Sequence, residues 1–171
     1  MKKIFILFAA VGLVAFSSCE GPEGPQGSPG YDAPIPFVFE FTTDFVAPNY
    51  ERTVPLEGVL SGDNVLVYEL VSTSGADRWA LLPQIYYFSD GLETAQYNFN
   101  FSKSNVTVFI DGSLTDFSQL PSTFRLGKTF RVVIIPGDDG VNAKKVKADY
   151  SDYNAVIAKY NIDDSNVKRI N

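Results

Sequence analysis

Most of the chain is divided into short segments rich in strand-forming residues, separated by brief turn sequences. Phe37, Phe39 and Phe41 alternate with other residues, which is the period-two spacing of a strand with one aromatic face, and we expect all three rings to lie on one buried face. The connections at 89–94 and 102–105 suit antiparallel hairpins and are too short for parallel crossovers, which need about a dozen residues. The pattern predicts a mainly β fold, an antiparallel β-sandwich that is immunoglobulin-like in style. Further strands are predicted over 65–71, 79–82, 84–88, 95–101, 106–110 and 128–135.

One helix is predicted near the end of the chain, packed on the sandwich. Ser151 is its predicted N-cap, and Tyr153, Val156, Ile157 and Tyr160 follow at the spacing of a single helix face. We expect this face to dock on a sheet. An open sheet covered by the helix is the alternative architecture.

The beginning of the chain has the layout of a secretory signal. Two lysines precede an apolar run over 4–16, and Ser17 and Ser18 stand before Cys19. The apolar run is too short to span a bilayer as a permanent helix. The segment resembles a bacterial lipoprotein signal, in which the cysteine thiol accepts diacylglycerol. We therefore predict a signal peptide over 1–18, export, and lipidation of Cys19.

A Gly/Pro-rich segment follows the predicted lipid site. Glycine recurs at every third position from Gly21 to Gly30, which is the period of collagen. Because so few triplets are present, a solvated polyproline-like stalk is favoured over a triple helix, and a monomer is expected. The sequence thus predicts a lipidated tether over 19–35 and a single β-rich domain over 36–171.

The charge and the missing residue types exclude several classes of function. The chain has a net charge of −6, which becomes −8 once Lys2 and Lys3 leave with the signal. An acidic protein is repelled by nucleic acid and by anionic headgroups, so neither is an expected partner. Histidine, the commonest general base and zinc ligand, is absent. With Cys19 acylated, no disulfide can form, so the domain must be held by packing; no cofactor is predicted.

The acidic residues give weak signals of a site. Asp90 and Asp111 stand beside glycine, where aspartate commonly hydrogen-bonds the backbone of a turn. Asp138 and Asp139 are adjacent carboxylates that can hold calcium through oxygen ligands, although no EF-hand spacing surrounds them. They are weak metal candidates, and no catalytic residue is predicted.

Three aromatic residues are the candidate ligand-binding residues. Tyr86 and Tyr87 are neighbours on one predicted strand, so at least one of these rings points away from the core. An exposed tyrosine beside Trp79 can stack on a sugar. The alternative is that all three rings face a second sheet, the helix or a rim of side chains.

Five segments of the chain carry a family resemblance. They are the Cys-Glu-Gly-Pro-x-Gly-Pro-x-Gly opening at 19–27, the stretch 79–84 with Tyr86-Tyr87, the turn at 109–112, and the segments 130–136 and 152–156. Together they resemble small Bacteroidota-type lipoproteins with a collagen-like stub. The resemblance implies an outer-membrane lipoprotein, exposed at the cell surface, and implies no mechanism.

The leading hypothesis is therefore a lipid-anchored, non-enzymatic binding, structural or accessory module of the cell envelope. Its acyl chains would bind it to a membrane, and an envelope protein or a glycan would be its further partner. A glycan-binding surface module is one form of it. The rival hypotheses are an envelope hydrolase that uses two carboxylates and a purely structural spacer.

Overall fold

Alternating side chains organise the chain into two β-sheets. The computed structural model describes residues 37–137 and 149–170. These residues form nine strands: β1 (Phe37–Thr43), β2 (Glu51–Pro55), β3 (Asn64–Ser72), β4 (Arg78–Leu81), β5 (Gln84–Phe88), β6 (Glu93–Phe101), β7 (Asn105–Gly112), β8 (Lys128–Ile135) and β9 (Lys168–Ile170). They also form a single helical turn, α1 (Ser122–Arg125), and one longer helix, α2 (Tyr153–Tyr160).

The two sheets pack face to face as a β-sandwich, which confirms the predicted fold class. The larger sheet has the strand order β4-β3-β8-β1-β9, and the smaller sheet has the order β2-β7-β6-β5. All strand pairs are antiparallel except one. The exception is the pair of β1 and β9, which are parallel, with Arg169 opposite Glu40. The parallel pair is possible because most of the domain lies between β1 and β9 in the chain, far more than the dozen residues that a parallel connection needs.

The predicted strands match the observed ones closely. The bounds of β5 and β8 are those predicted, and the other predicted strands differ from the observed ones by a residue or two at one or both ends. Strand β2 was not predicted. It is an edge strand in which only Val54 is buried, so the sequence offers no alternation of apolar side chains to detect.

Aromatic rings fill the space between the sheets. Phe39 and Phe41 are each 1% exposed and point toward the smaller sheet. The Phe41 ring lies 5.6 Å from that of Phe130, and the Tyr97 ring lies 4.5 Å from that of Phe124. The prediction that Phe37 is buried with Phe39 and Phe41 is wrong, since Phe37, the first residue of β1, is 43% exposed.

Helix α2 packs on the face of the larger sheet that is turned away from the smaller sheet, called here the outer face. Tyr153 and Val156 are buried there, which confirms the predicted docking. The N-cap is Asp152, whose Oδ1 accepts a hydrogen bond from the Ala155 amide at 3.2 Å. The prediction of Ser151 is wrong by one residue, because the Ser151 hydroxyl instead donates to Asp149.

Several predicted features lie outside the described residues, namely the signal peptide over 1–18, Cys19, the tether over 19–35, and Asp138 and Asp139. The described residues belong to one compact unit. Neither of the helices in the described ranges is long and apolar enough to cross a bilayer.

Candidate functional site

Three rows of side chains cross the outer face of the larger sheet. The strand register places apolar side chains in the first row, polar and charged ones in the second, and mostly hydroxyls in the third. Helix α2 covers the first row and leaves the third open. The rows are Leu66, Val133 and Val38; then Tyr68, Arg131 and Glu40; then Leu70, Thr129 and Thr42.

An open cleft of about 310 Å³ lies over the third row. The Thr42 and Thr129 hydroxyls are hydrogen-bonded to each other at 2.9 Å on its floor. The hairpin that joins β3 to β4 forms one wall, and β9 forms the other. The wall residues are Thr73, Asp77 and Trp79 on the hairpin side, and Arg169 and Ile170 on the β9 side, with Glu40 at the inner end.

Glu40 and Arg131 form a buried ion pair between the cleft and the helix. Glu40 is 6% exposed and Arg131 is 7% exposed. The Arg131 Nε donates to Glu40 Oε1 at 3.0 Å, and a second guanidinium nitrogen donates to the same oxygen. On the cleft side, Arg169 Nε lies 3.4 Å from Glu40 Oε2. Both carboxylate oxygens are thus paired with a guanidinium group.

The helix and its following loop complete this network. Arg131 Nη1 donates to the Tyr153 hydroxyl, which in turn donates to Asp164 Oδ2 at 2.7 Å. Burial alone would lower the pKa of Arg131, but the hydrogen bond to Glu40 and the contacts with Tyr153 raise it above its usual value. Burial, together with the hydrogen bond to Asp164, raises the pKa of Tyr153. Arg131 therefore remains a cation, and Tyr153 remains a neutral donor.

The indole ring of Trp79 is fixed by the same arginine. The Arg131 guanidinium carbon lies 4.0 Å from the centre of the Trp79 ring, which is the geometry of a cation–π contact. The Tyr153 ring centre lies 5.9 Å from that of Trp79. Trp79 is half-buried and also lines the cleft. Arg131 and Tyr153 therefore fix the position of a ring that a ligand in the cleft can contact.

The three aromatic candidates occupy three different environments. Trp79 lines the cleft. Tyr86 points into the core, where its hydroxyl donates to the buried carboxylate of Glu69 at 2.6 Å, and Lys128 Nζ lies 2.9 Å from the same carboxylate. Tyr87 is 71% exposed on the far side of the smaller sheet. One ring does point away from the core, as predicted. The expectation that an exposed tyrosine stands beside Trp79 is wrong, because Tyr87 and Trp79 lie on opposite outer faces of the sandwich.

Of the two aspartates assigned to turns, Asp90 is found in one, between β5 and β6, where it adopts a left-handed conformation with φ of 58°. The turn assignment of Asp111 is wrong, because Asp111 is the next-to-last residue of strand β7 and lies opposite Gln96 of β6. Its Oδ1 does accept a local backbone hydrogen bond, from the amide of Gly112 at 2.8 Å. Within residues 37–137 and 149–170, no group of three or more acidic or other metal-ligating side chains is placed to hold a metal ion.

The ion pair between Glu40 and Arg131 was not predicted from the sequence. Its signal was present, because Glu40 and Arg131 are isolated charges within two otherwise apolar strand segments, Phe-Val-Phe-Glu-Phe and Phe-Arg-Val-Val-Ile-Ile. Charged residues at such positions are rarely buried unless they are paired. The sequence alone does not give the strand register, and it is the register that places Glu40 of β1 opposite Arg131 of β8.

Comparison with protein-family models, with curated proteins and with solved structures finds no significant match to this chain.

Proposed function

We propose that this protein is a lipid-anchored, non-enzymatic module of the bacterial envelope that binds a ligand in the cleft beside Trp79. The cleft is the observation that carries the proposal. It combines a fixed aromatic ring, hydroxyl groups and charged groups in one concave region, so it offers a ligand both an apolar surface and convergent polar groups.

The proposed location is supported by the sequence. A short apolar run between two lysines and the Ser17-Ser18-Cys19 stretch favours export and acylation. Two or three acyl chains on one cysteine hold a protein at a membrane far more firmly than a single chain does. The resemblance to Bacteroidota-type lipoproteins supports the outer membrane as that location.

The charge arrangement favours binding over hydrolysis. A carboxylate-pair hydrolase needs one carboxylic acid that can donate a proton at neutral pH. Such a group keeps its proton either because it is buried with no cation beside it or because a second carboxylate lies close to it. Glu40 is instead paired with Arg131 and Arg169. Asp77, the other carboxylate of the cleft, is exposed to solvent.

The anchor is tested by Cys19→Ala in cells that are fed a labelled fatty acid. We expect the wild-type protein to carry the label and to partition into detergent. The variant should lose the label and either accumulate as an uncleaved precursor or be released. Ser28→Ala, a change in the neighbouring tether, is the control and should behave as wild type. A processed Cys19→Ala protein that still carries the label would refute the anchor.

Binding at the cleft is tested through Trp79, which is the only tryptophan in the chain. Its fluorescence reports on the cleft when the mature lipidated protein is titrated in detergent micelles with neutral, anionic and cationic small molecules. We expect at least one class to change the emission saturably. If every class leaves the emission unchanged, and calorimetry detects no heat of binding, the proposed function is wrong.

A further inference from the structure

The side chains that line the cleft indicate which chemical class of ligand it can bind. Its first feature is the aromatic wall. Because Arg131 and Tyr153 hold the Trp79 ring from the helix side, the ring loses little conformational entropy when a ligand packs against it. A rigid aromatic ring is a suitable surface for a flat, apolar patch of carbon and hydrogen atoms such as one face of a pyranose.

The second feature is the hydroxyl content. Thr42 and Thr129 lie on the floor, and Thr73 lies on the wall next to Trp79. A threonine hydroxyl both donates and accepts hydrogen bonds, and so does each hydroxyl of a sugar. Asp77 adds a carboxylate that only accepts, and it is exposed at the same wall. Its two oxygens can accept from two adjacent hydroxyls of one ligand.

The third feature is the charge balance. Arg131 is paired with two carboxylates, Glu40 and Asp164, and Arg169 is paired with Glu40 on the cleft side, so these four charges offset one another. Asp77, which is exposed to solvent, is the further charge of the cleft. An anionic ligand is repelled by this carboxylate, and a cationic ligand gains little from it because water screens an exposed charge. The arrangement therefore favours a neutral, polar ligand.

Building on the proposed function, we propose that this ligand is a neutral pyranose sugar, held as a single terminal unit with one face against Trp79 and its hydroxyls on Asp77 and the threonines. The cleft is open to solvent, so it suits the end of a longer glycan, whose remaining units extend outward. The protein would thus attach to a neutral polysaccharide or glycolipid of the envelope through one sugar.

The experiment is a titration of the mature lipidated protein with methyl glycosides of glucose, mannose and galactose, followed by Trp79 emission and by calorimetry. The micelles must be of a zwitterionic detergent, since glucoside detergents would compete for the site. Glucuronate and glucosamine serve as the anionic and cationic comparisons. We expect a neutral glycoside to bind saturably and more tightly than either charged sugar.

Variants locate the site. Asp77→Asn changes an exposed hairpin residue, preserves its size, and is expected to weaken binding about tenfold. Trp79→Ala should weaken it at least as much by calorimetry, and Trp79→Phe should retain part of the affinity. Tyr87→Ala removes an exposed ring from the opposite outer face and should bind as wild type.

Two results would overturn the sugar inference. In the first, only a charged or a non-sugar compound changes the Trp79 emission, which leaves the binding function in place and refutes its ligand class. In the second, neutral glycosides bind but neither Asp77→Asn nor Trp79→Ala affects them, which places sugar binding elsewhere on the protein.

Discussion

The guanidinium carbon of Arg131 lies 4.0 Å from the centre of the Trp79 ring, and the same group is hydrogen-bonded to the buried carboxylate of Glu40. Arg131 therefore joins the aromatic wall of the cleft to the ion pair beneath helix α2. A change at Arg131 should affect both the stability of the domain and the position of the ring.

Arg131→Met leaves Glu40 buried without its main partner. We expect the free energy of unfolding to fall by about 3 to 5 kcal/mol, because an uncompensated buried charge is strongly unfavourable. Urea unfolding measures the loss, and Trp79 emission in the folded state should shift. Glu40→Gln in the same chain should recover part of the stability, while Arg78→Met, at an exposed arginine of β4, should have little effect. Equal losses at Arg131 and Arg78 would contradict the buried ion pair.

Tyr86→Phe removes a hydroxyl that donates to the buried Glu69 carboxylate at 2.6 Å. A hydrogen bond to a charged group contributes about 1.5 to 3 kcal/mol, and we expect a loss of this size in chemical unfolding. Tyr87→Phe is the matched control in the adjacent residue. Since Tyr87 is exposed, its loss should stay within about 0.5 kcal/mol. Reversed effects would mean that the two rings have exchanged faces.

Phe39→Ala opens a cavity between the two sheets, where Phe39 is 1% exposed. We expect the free energy of unfolding to fall by about 3 to 5 kcal/mol. Phe37→Ala, two residues earlier on the same strand, should cost less than about 1 kcal/mol because that ring is largely in solvent. A loss below that level at Phe39 would show that the strand is not packed as described.

Alkaline pH should destabilise the domain through its buried tyrosines. Burial raises the pKa of Tyr68, Tyr86, Tyr97 and Tyr153 above the ordinary value of 10.0. In the unfolded chain these phenols lose their protons near pH 10, whereas in the folded chain they keep them. Stability is therefore fully present below about pH 10 and falls as the pH rises further.

The alkaline prediction is checked by phenolate absorbance together with a structural probe such as circular dichroism. We expect the phenolate signal of these four tyrosines to appear only as the domain unfolds. Four tyrosines that ionise reversibly near pH 10 in a fully folded domain would contradict their burial.

Local patterns were sufficient for most of the secondary structure. Strand β8 and the face of helix α2 follow from the spacing of apolar side chains, which is a property of neighbouring residues. The spacing of apolar side chains did not predict the elements whose local sequence signal is weak or ambiguous. In β2 only Val54 is buried, and at the helix start both Ser151 and Asp152 are residue types that can cap.

The sequence by itself determined the β-rich class of the domain, the apolar face of its helix and the predicted export layout with Cys19. Only the tertiary structure decided that Glu40 lies opposite Arg131, that Trp79 stacks on that arginine, and that Tyr87 lies on the other side of the molecule. The reason is that alternation along a strand sets which face a side chain takes, whereas its neighbours across the sheet depend on strand order and register. Order and register arise from contacts between residues far apart in the chain, and Glu40 and Arg131 are separated by 91 positions.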